Sequence, residues 1–256
     1  ISEHIDQNRM SNIESDIFLF IKILKIAIPP LFLMILQPDT GIPIIIVIGL
    51  ITMLALSGIQ KYWLISGFVF LGLVVIIFMG LFFFAPDALI SLVGNSYRLT
   101  RFYGWLQTEQ YISSWGLQLY QSLLAVGSAG WFGHGWGSQV ITLIEPQNDF
   151  IFAVIGQNFG FIGTSIVLFL HLALDLTIIR IIQNNEYYRE KIMAIGLLGM
   201  LLFQQIQNMG MIIGLLPITG ITLPFISAGG SSLLSFVPMI AIIFHMSHLN
   251  RSKIVH

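Results

Sequence analysis

The feature that most constrains this chain is a set of apolar runs about 20 residues long that carry hydrophobic side chains on every side. One of them, LGLVVIIFMGLFFF, ends at Phe84 without a single polar residue. A hydrocarbon core of about 30 Å is crossed by roughly 20 apolar helical residues. Six such runs are readable: Ile17 to Leu36, Ile42 to Leu56, Leu64 to Phe84, Phe150 to Ile182, Ile192 to Leu215 and Leu233 to Leu249. The second is short. The fourth is long enough to tilt, or to break at Gly156, Gly160 or Gly163. Strands of a membrane barrel would alternate apolar and polar residues over about ten positions, and these runs do not. An all-α, polytopic membrane protein with about six transmembrane helices is the expected fold class.

Composition agrees: 56% of residues are apolar and only 9% charged, against roughly 25% charged in soluble domains. The formal net charge of -1 lacks the basic excess that a nucleic-acid partner requires. With no cysteine, disulfides, thiolate metal sites and a cysteine nucleophile are all excluded.

Basic residues set an expected sidedness, because cytoplasmic loops hold the Lys/Arg excess. With the C-terminus cytoplasmic, Arg9, Lys22, Lys25, Lys61, Arg180, Arg189, Lys191, Arg251 and Lys253 fall on or near the inner side, and only Arg98 and Arg101 fall outside. That puts a long loop, Ala85 to Asp149, and a shorter one, Pro217 to Ser232, on the extracytoplasmic face of the cell membrane. The expected organisation is a single membrane domain, 1–256, with the loop 85–149 as its large outer excursion. Long loops are usually functional, and the aromatic residues of this one, among them Trp105, Trp115, Trp131 and Trp136, suggest helices in the membrane interface. The chain starts at Ile1 with a polar stretch that lacks the features of a signal peptide. It reads as part of a longer protein.

Four stretches carry a resemblance: QPDTG (Gln37–Gly41), LQLYQSLLAVGSAGWFGHGWG (Leu117–Gly137), EPQNDFIFAVIG (Glu145–Gly156) and NMGMIIGLLPITGITLPFISAGGSSLL (Asn208–Leu234). In order and spacing they resemble the SEDS family of membrane glycosyltransferases, the RodA, FtsW and SpoVE group. The last stretch looks more like the RodA, cell-elongation branch. The resemblance implies a ten-helix fold with four helices upstream of Ile1, together with a P-S-E-x-x-K segment. It also implies polymerisation of lipid II, an undecaprenyl-pyrophosphate-linked disaccharide-peptide, and a class B penicillin-binding protein as partner. Some positions depart from the family pattern. Gln157 and Asn158 replace an acidic pair, Ile42 replaces a threonine, Ile144 a proline and Leu117 a tyrosine.

From the residues alone, Asp149 is the chemical candidate. It precedes a long apolar run, where partial desolvation raises a carboxylate's pKa and makes it a better base. The plainer reading is an N-cap of the following helix. The resemblance implies that the matching aspartate is the essential catalytic acid–base residue. It would accept the proton of the acceptor sugar's 4-hydroxyl as that oxygen displaces the lipid pyrophosphate with inversion. Arg98 and Arg101 are candidates to hold the donor's phosphates, or else face solvent and lipid headgroups. Asp39 and Gln121 are substrate-binding candidates, Asp39 against a turn role. Ser231 and Ser232 can cap the last helix, whose N-terminus could attract a pyrophosphate. Glu145 could assist Asp149 or bind a divalent cation; no cofactor is required and no protein metal set is present.

The remaining polar residues read as structural. Gln204, Gln207, Asn208 and Met211 share a helix face suited to packing, His171 and Asp175 stand one turn apart and could pair, and His134 has no companion ligand. Two other functions fit the same polar residues: a flippase for lipid-linked precursors, and a scaffold that only recruits a transpeptidase.

Overall fold

The computed structural model describes residues 12–36, 41–93, 97–228 and 230–254. Its regular elements are all helices, with no strand among the described residues. The long helices are α1 (Ile13–Ile35), α2 (Gly41–Ala55) and α3 (Lys61–Phe84). Three shorter helices follow, α4 (Pro86–Val93), α5 (Tyr97–Leu106) and α6 (Leu117–Ser128), with a 3-10 turn (Thr108–Tyr111) before α6. The chain ends with α7 (Ile151–Asn184), α8 (Tyr188–Ile212) and α9 (Gly230–Ile254). Each of the six apolar runs is a helix. Of these, α1, α3, α7 and α8 are long and apolar enough to cross a membrane, and α2 and Leu234–Met246 within α9 are shorter apolar helices. The protein is therefore a polytopic, all-helical membrane protein.

Large side chains face outward along the long helices: Phe68 and Phe70 on α3 are about 70% exposed, and Phe84 is 91% exposed. Water would not tolerate such a surface, whereas lipid does. Inside, small residues let helices approach closely, as membrane packing favours. At the α2–α8 seam, a Cβ on Gly196 would run into Met53 and one on Gly199 into Thr52. Asp16, fully buried near the start of α1, accepts from the backbone N–H of Gln60 at 3.2 Å and so ties the head of α1 to the head of α3.

The fourth apolar run is not one straight span. At Gly160 the backbone turns through φ 64°, ψ -155°, and the two legs fold back on each other. A Cβ on Gly156 would lie 3.4 Å from the Thr164 methyl, and one on Gly163 would lie 3.6 Å from Ile155. Residues eight apart on a straight helix are separated by about 12 Å. Phe150 and Val167 likewise share one apolar cluster, although a straight helix would hold them about 25 Å apart. The run expected to tilt or to break at one of its glycines thus breaks at Gly160, into a short leg, 151–159, turned back against a long leg, 161–184, of roughly membrane-spanning length.

The glycine-rich loop after α6 seals this break. His134 and Gly135 donate backbone N–H groups to the carbonyls of Gln157 and Asn158 at 2.9 and 3.1 Å. In return, Phe161 and Ile162 donate to the carbonyls of Gly130 and Trp131 at 2.9 and 3.2 Å. The break frees these helix groups, and the loop satisfies them. Trp131 packs edge-on against Phe161, and Trp136 against Phe159. Gly133 has φ 75°, and a Cβ there would overlap the Asn158 carbonyl. Gly133→Ala is expected to lower stability by about 1–3 kcal/mol, the typical cost of one strained backbone position. Thermal unfolding in detergent is the check, with Gly130→Ala as the control: its φ of 57° carries the same strain in open surroundings, so the larger loss expected at Gly133 reports the overlap with Asn158.

Candidate active site

Two irregular segments meet beside the end of α8: residues 138–150, which lead into the short leg of α7, and residues 213–228, which lead to α9. Asp149 lies in the first. The N-cap position of α7 belongs to Phe150, with no side-chain cap hydrogen bond, so Asp149 is not the helix cap. Its backbone carbonyl accepts from Asn208 Nδ2 at 2.8 Å. Asn208 is one helical turn, about 6 Å, before the end of α8, so the Asp149 backbone lies beside the last turn of that helix.

Arg101 reaches the same point from α5. Its Nη1 donates to the Ile218 carbonyl at 3.4 Å. A Cβ on Gly220 would be 3.9 Å from Asp149 Oδ2 and 3.8 and 4.0 Å from Arg101 Nη1 and Nη2. Carboxylate and guanidinium therefore converge on one exposed glycine with φ 74°. Burial pushes the Asp149 carboxyl above the usual carboxylate range. A hydrogen bond from its own backbone N–H and the charge of Arg101 pull it back, and nearby Glu145 raises it again.

The second segment is held by side-chain donors on its carbonyls. Trp105 Nε1 bonds Gly214 at 2.9 Å, Gln207 Nε2 bonds Pro217 at 2.8 Å, and Asn208 Nδ2 bonds Ile221 at 2.7 Å. The His171 ring lies 3.2 Å from the Pro224 carbonyl, and the Ala228 N–H donates to the Gln147 carbonyl at 2.8 Å, tying the two segments together. Gln207 and Asn208 thus cap a loop where helix–helix packing was expected, while Met211 of the same face packs in a core cluster with Leu119 and Phe152. His171 and Asp175 do not hydrogen-bond to each other: His171 also meets the Val167 carbonyl at 2.9 Å, and Asp175 accepts from Gln205 at 3.1 Å.

The other candidates fall less centrally. Glu145 is exposed, has φ 51°, and accepts from Asn148 at 3.2 Å within its own turn. Among the described residues, no three acidic or imidazole side chains cluster in a way that could hold a metal ion. On α6, Ser122 caps the Ile212 carbonyl at 2.8 Å, and the adjacent Gln121 has its Oε1 buried without a hydrogen-bond partner. Asn208 Oδ1 and Thr219 Oγ1 are in the same condition. His134 meets Ser128 at 3.0 Å. Asp39 lies outside the described residues, and so do the side chains of Arg98, Ser231 and Ser232. Arg98 is on α5 with Arg101, and the two serines stand in the first turn of α9, which begins at Gly230. Sequence reasoning takes Trp105 only as one of the outer loop's interfacial aromatics and does not single out Thr219 within the Asn208–Leu234 stretch.

A polytopic helical membrane protein with a partly desolvated carboxylate beside a guanidinium is the class that fold and site define. A family model described as "Cell cycle protein" and named for FtsW, RodA and SpoVE matches residues 2–252. Stage V sporulation protein E of Bacillus subtilis is 35% identical over 236 residues, 91% of this chain and 61% of that protein. The probable peptidoglycan glycosyltransferase FtsW of Legionella pneumophila is 34% identical over 243 residues, 92% of this chain and 58% of that protein. The chain belongs to the FtsW/RodA/SpoVE family, and it spans somewhat under two thirds of the length of these relatives.

Two solved structures share the fold. One is a chain of a peptidoglycan synthase complex, described by its structural coordination of polymerization and crosslinking. It has a TM-score of 0.75 at 19% identity, with 97% of this chain and 66% of that chain covered. The other is an aspartate-to-alanine mutant of the Thermus thermophilus rod shape determining protein RodA, with a TM-score of 0.59 at 20% identity and 96% and 61% covered. The resemblance to the elongation branch gains no support from the curated relatives named here, which are a sporulation protein and an FtsW.

Because Arg101 lowers the Asp149 pKa and burial raises it, removing the guanidinium leaves burial less opposed. Arg101→Gln is expected to move the Asp149 titration to higher pH, read from its γ-carboxyl carbon resonance in the detergent-solubilised protein. An unchanged titration would show that the two charges do not interact.

Proposed function

We propose that this protein is a peptidoglycan glycosyltransferase that polymerises lipid II, with Asp149 as the general base. The observation that carries the reading is the convergence of the Asp149 carboxylate and the Arg101 guanidinium at Gly220, one helical turn in from the end of α8. In the neutral-pH reaction, ionised Asp149 accepts the proton of the acceptor's 4-hydroxyl. The oxygen forms its bond to the donor's anomeric carbon as the bond to the lipid pyrophosphate breaks, and the electron pair leaves with the pyrophosphate. Arg101, which reaches the site from α5, faces the departing negative charge, and Arg98 of the same helix is a second candidate to hold it. Pyrophosphate leaves readily, so one carboxylate suffices where glycoside hydrolysis uses two. A raised pKa makes Asp149 a stronger base, provided the pH lies above it.

The site's depth suits a donor anchored in the bilayer by its prenyl chain. The Lys/Arg distribution supports an extracytoplasmic site, with the loop 85–149 outside, the C-terminus inside and 1–256 acting as one membrane domain. The names of the curated FtsW relatives support the activity. The synthase complex among the structural neighbours supports coupling to a crosslinking partner, a class B penicillin-binding protein, during cell elongation or division.

Asp149→Asn keeps the size and removes the base. The expected result is a loss of about 10²–10⁴-fold in glycan-strand formation from purified lipid II, with the protein still folded. Undiminished polymer from this variant would overturn the role of Asp149. Translocation of labelled lipid II without any polymer from the wild type would replace the enzyme with a flippase.

A further inference from the structure

We propose that Asn208 is the positioning residue for Asp149, a role that rests on the reading of Asp149 as the base. Its carboxamide nitrogen has two hydrogens, and both are committed: one to the Asp149 carbonyl at 2.8 Å, the other to the Ile221 carbonyl at 2.7 Å. Asn208 is fully buried. A single side chain therefore joins the backbone of the aspartate to the segment whose Ile218 carbonyl receives Arg101 and whose Gly220 faces both charges. Cutting that joint would leave the two segments tied through the Ala228 N–H and the Gln147 carbonyl, away from the charges, and would let Asp149 and residues 217–221 shift relative to each other, and with them the carboxylate and the guanidinium.

The other half of the carboxamide shows that packing is not its purpose. Asn208 Oδ1 is buried with no hydrogen-bond partner, and burying an unmet acceptor is unfavourable. Leucine has nearly the same shape and would fill the space without that cost. A carboxamide at this position is accounted for by what its nitrogen holds. Gln207, the preceding residue, grips the Pro217 carbonyl but reaches nothing on the Asp149 side, so it does not duplicate the joint.

The charges acting on Asp149 are few. Arg101 comes from α5 and Glu145 from its own turn; among the described residues, α8 and the 213–228 segment present neutral groups to it. With the clamp replaced by an apolar side chain that keeps the carboxyl buried, the hold of Arg101 weakens, and the carboxyl, already elevated by burial, titrates at higher pH.

The test labels the chain at aspartate γ-carbons and follows Asp149 by ¹³C NMR in detergent across pH, the resonance being assigned by its loss in Asp149→Asn. Asn208→Leu is expected to shift the titration upward, and Asn208→Asp, which offers only acceptors to two carbonyls, to shift it further. Asn208→Gln, which keeps the donors, returns it toward wild type. In an Arg101→Gln background, Asn208→Leu adds no further shift, because the guanidinium through which it acts is absent. Asn208→Ser is the second variant should leucine prevent folding. A folded Asn208→Leu or Asn208→Ser protein in which Asp149 titrates as in the wild type overturns the proposal, as does an equal shift in both backgrounds. The readout does not depend on polymerisation, so failure of the base assignment and failure of the clamp are distinguished.

Discussion

The structure depends on satisfying backbone polar groups where the chain is not helical. Apolar surroundings offer no water to an exposed carbonyl or N–H, and irregular backbone persists at membrane depth only where protein groups or a water-filled cavity replace that water. Among the described residues, the break in α7 at Gly160 and the irregular segment between α8 and α9 pose the problem. The first is solved backbone to backbone, with four hydrogen bonds exchanged with the glycine-rich loop. The second is solved by side chains, since Trp105, Gln207, Arg101, Asn208 and His171 meet the carbonyls of Gly214, Pro217, Ile218, Ile221 and Pro224. Each such bond contributes only about 1 kcal/mol net, but leaving its acceptor bare in this setting costs more.

The candidate site follows from these two solutions. Folding the short leg back brings Asp149 down beside Asn208, so the carboxylate is partly desolvated. Capping the second segment holds Ile218 and Gly220 where Arg101 can reach both the loop and the acid. The electrostatic balance at Asp149, burial against guanidinium, is therefore a consequence of how the backbone was satisfied. Gly220 keeps the meeting point open, as a side chain there would stand between the two charges and in a left-handed backbone conformation.

The helices were legible because each is a run of apolar residues of the right length, and that signal needs no tertiary knowledge. Asp149 was legible from its place ahead of such a run. Its surroundings were not, because residues 151–184 read as one mostly apolar helical stretch, and only the docking of the glycine-rich loop decides which of three glycines turns the chain back. Gln207 and Asn208 were misread for a related reason. On a helix they look like interhelical contacts, and the carbonyls they serve lie ten and thirteen residues further on in a segment with no periodicity. Arg101 could be nominated by its charge, but its proximity to Asp149, 48 positions away, is purely tertiary.

The departure at Gln157 and Asn158 can be argued from the same constraint. An ionised glutamate accepts hydrogen bonds and donates none, whereas a glutamine does both. Here Gln157 Nε2 donates to the Ser138 carbonyl at 2.9 Å while its Oε1 accepts from the Ile141 N–H at 3.0 Å, and Asn158 Oδ1 accepts from the Ser138 hydroxyl at 3.0 Å. The donor to Ser138 is unavailable to a carboxylate, so this chain holds residues 138–141 in a way that the acidic pair usual in the family could not. The replacement therefore supports the loop that closes the α7 break. It leaves the convergence of Asp149, Arg101 and Asn208, built from other elements, intact.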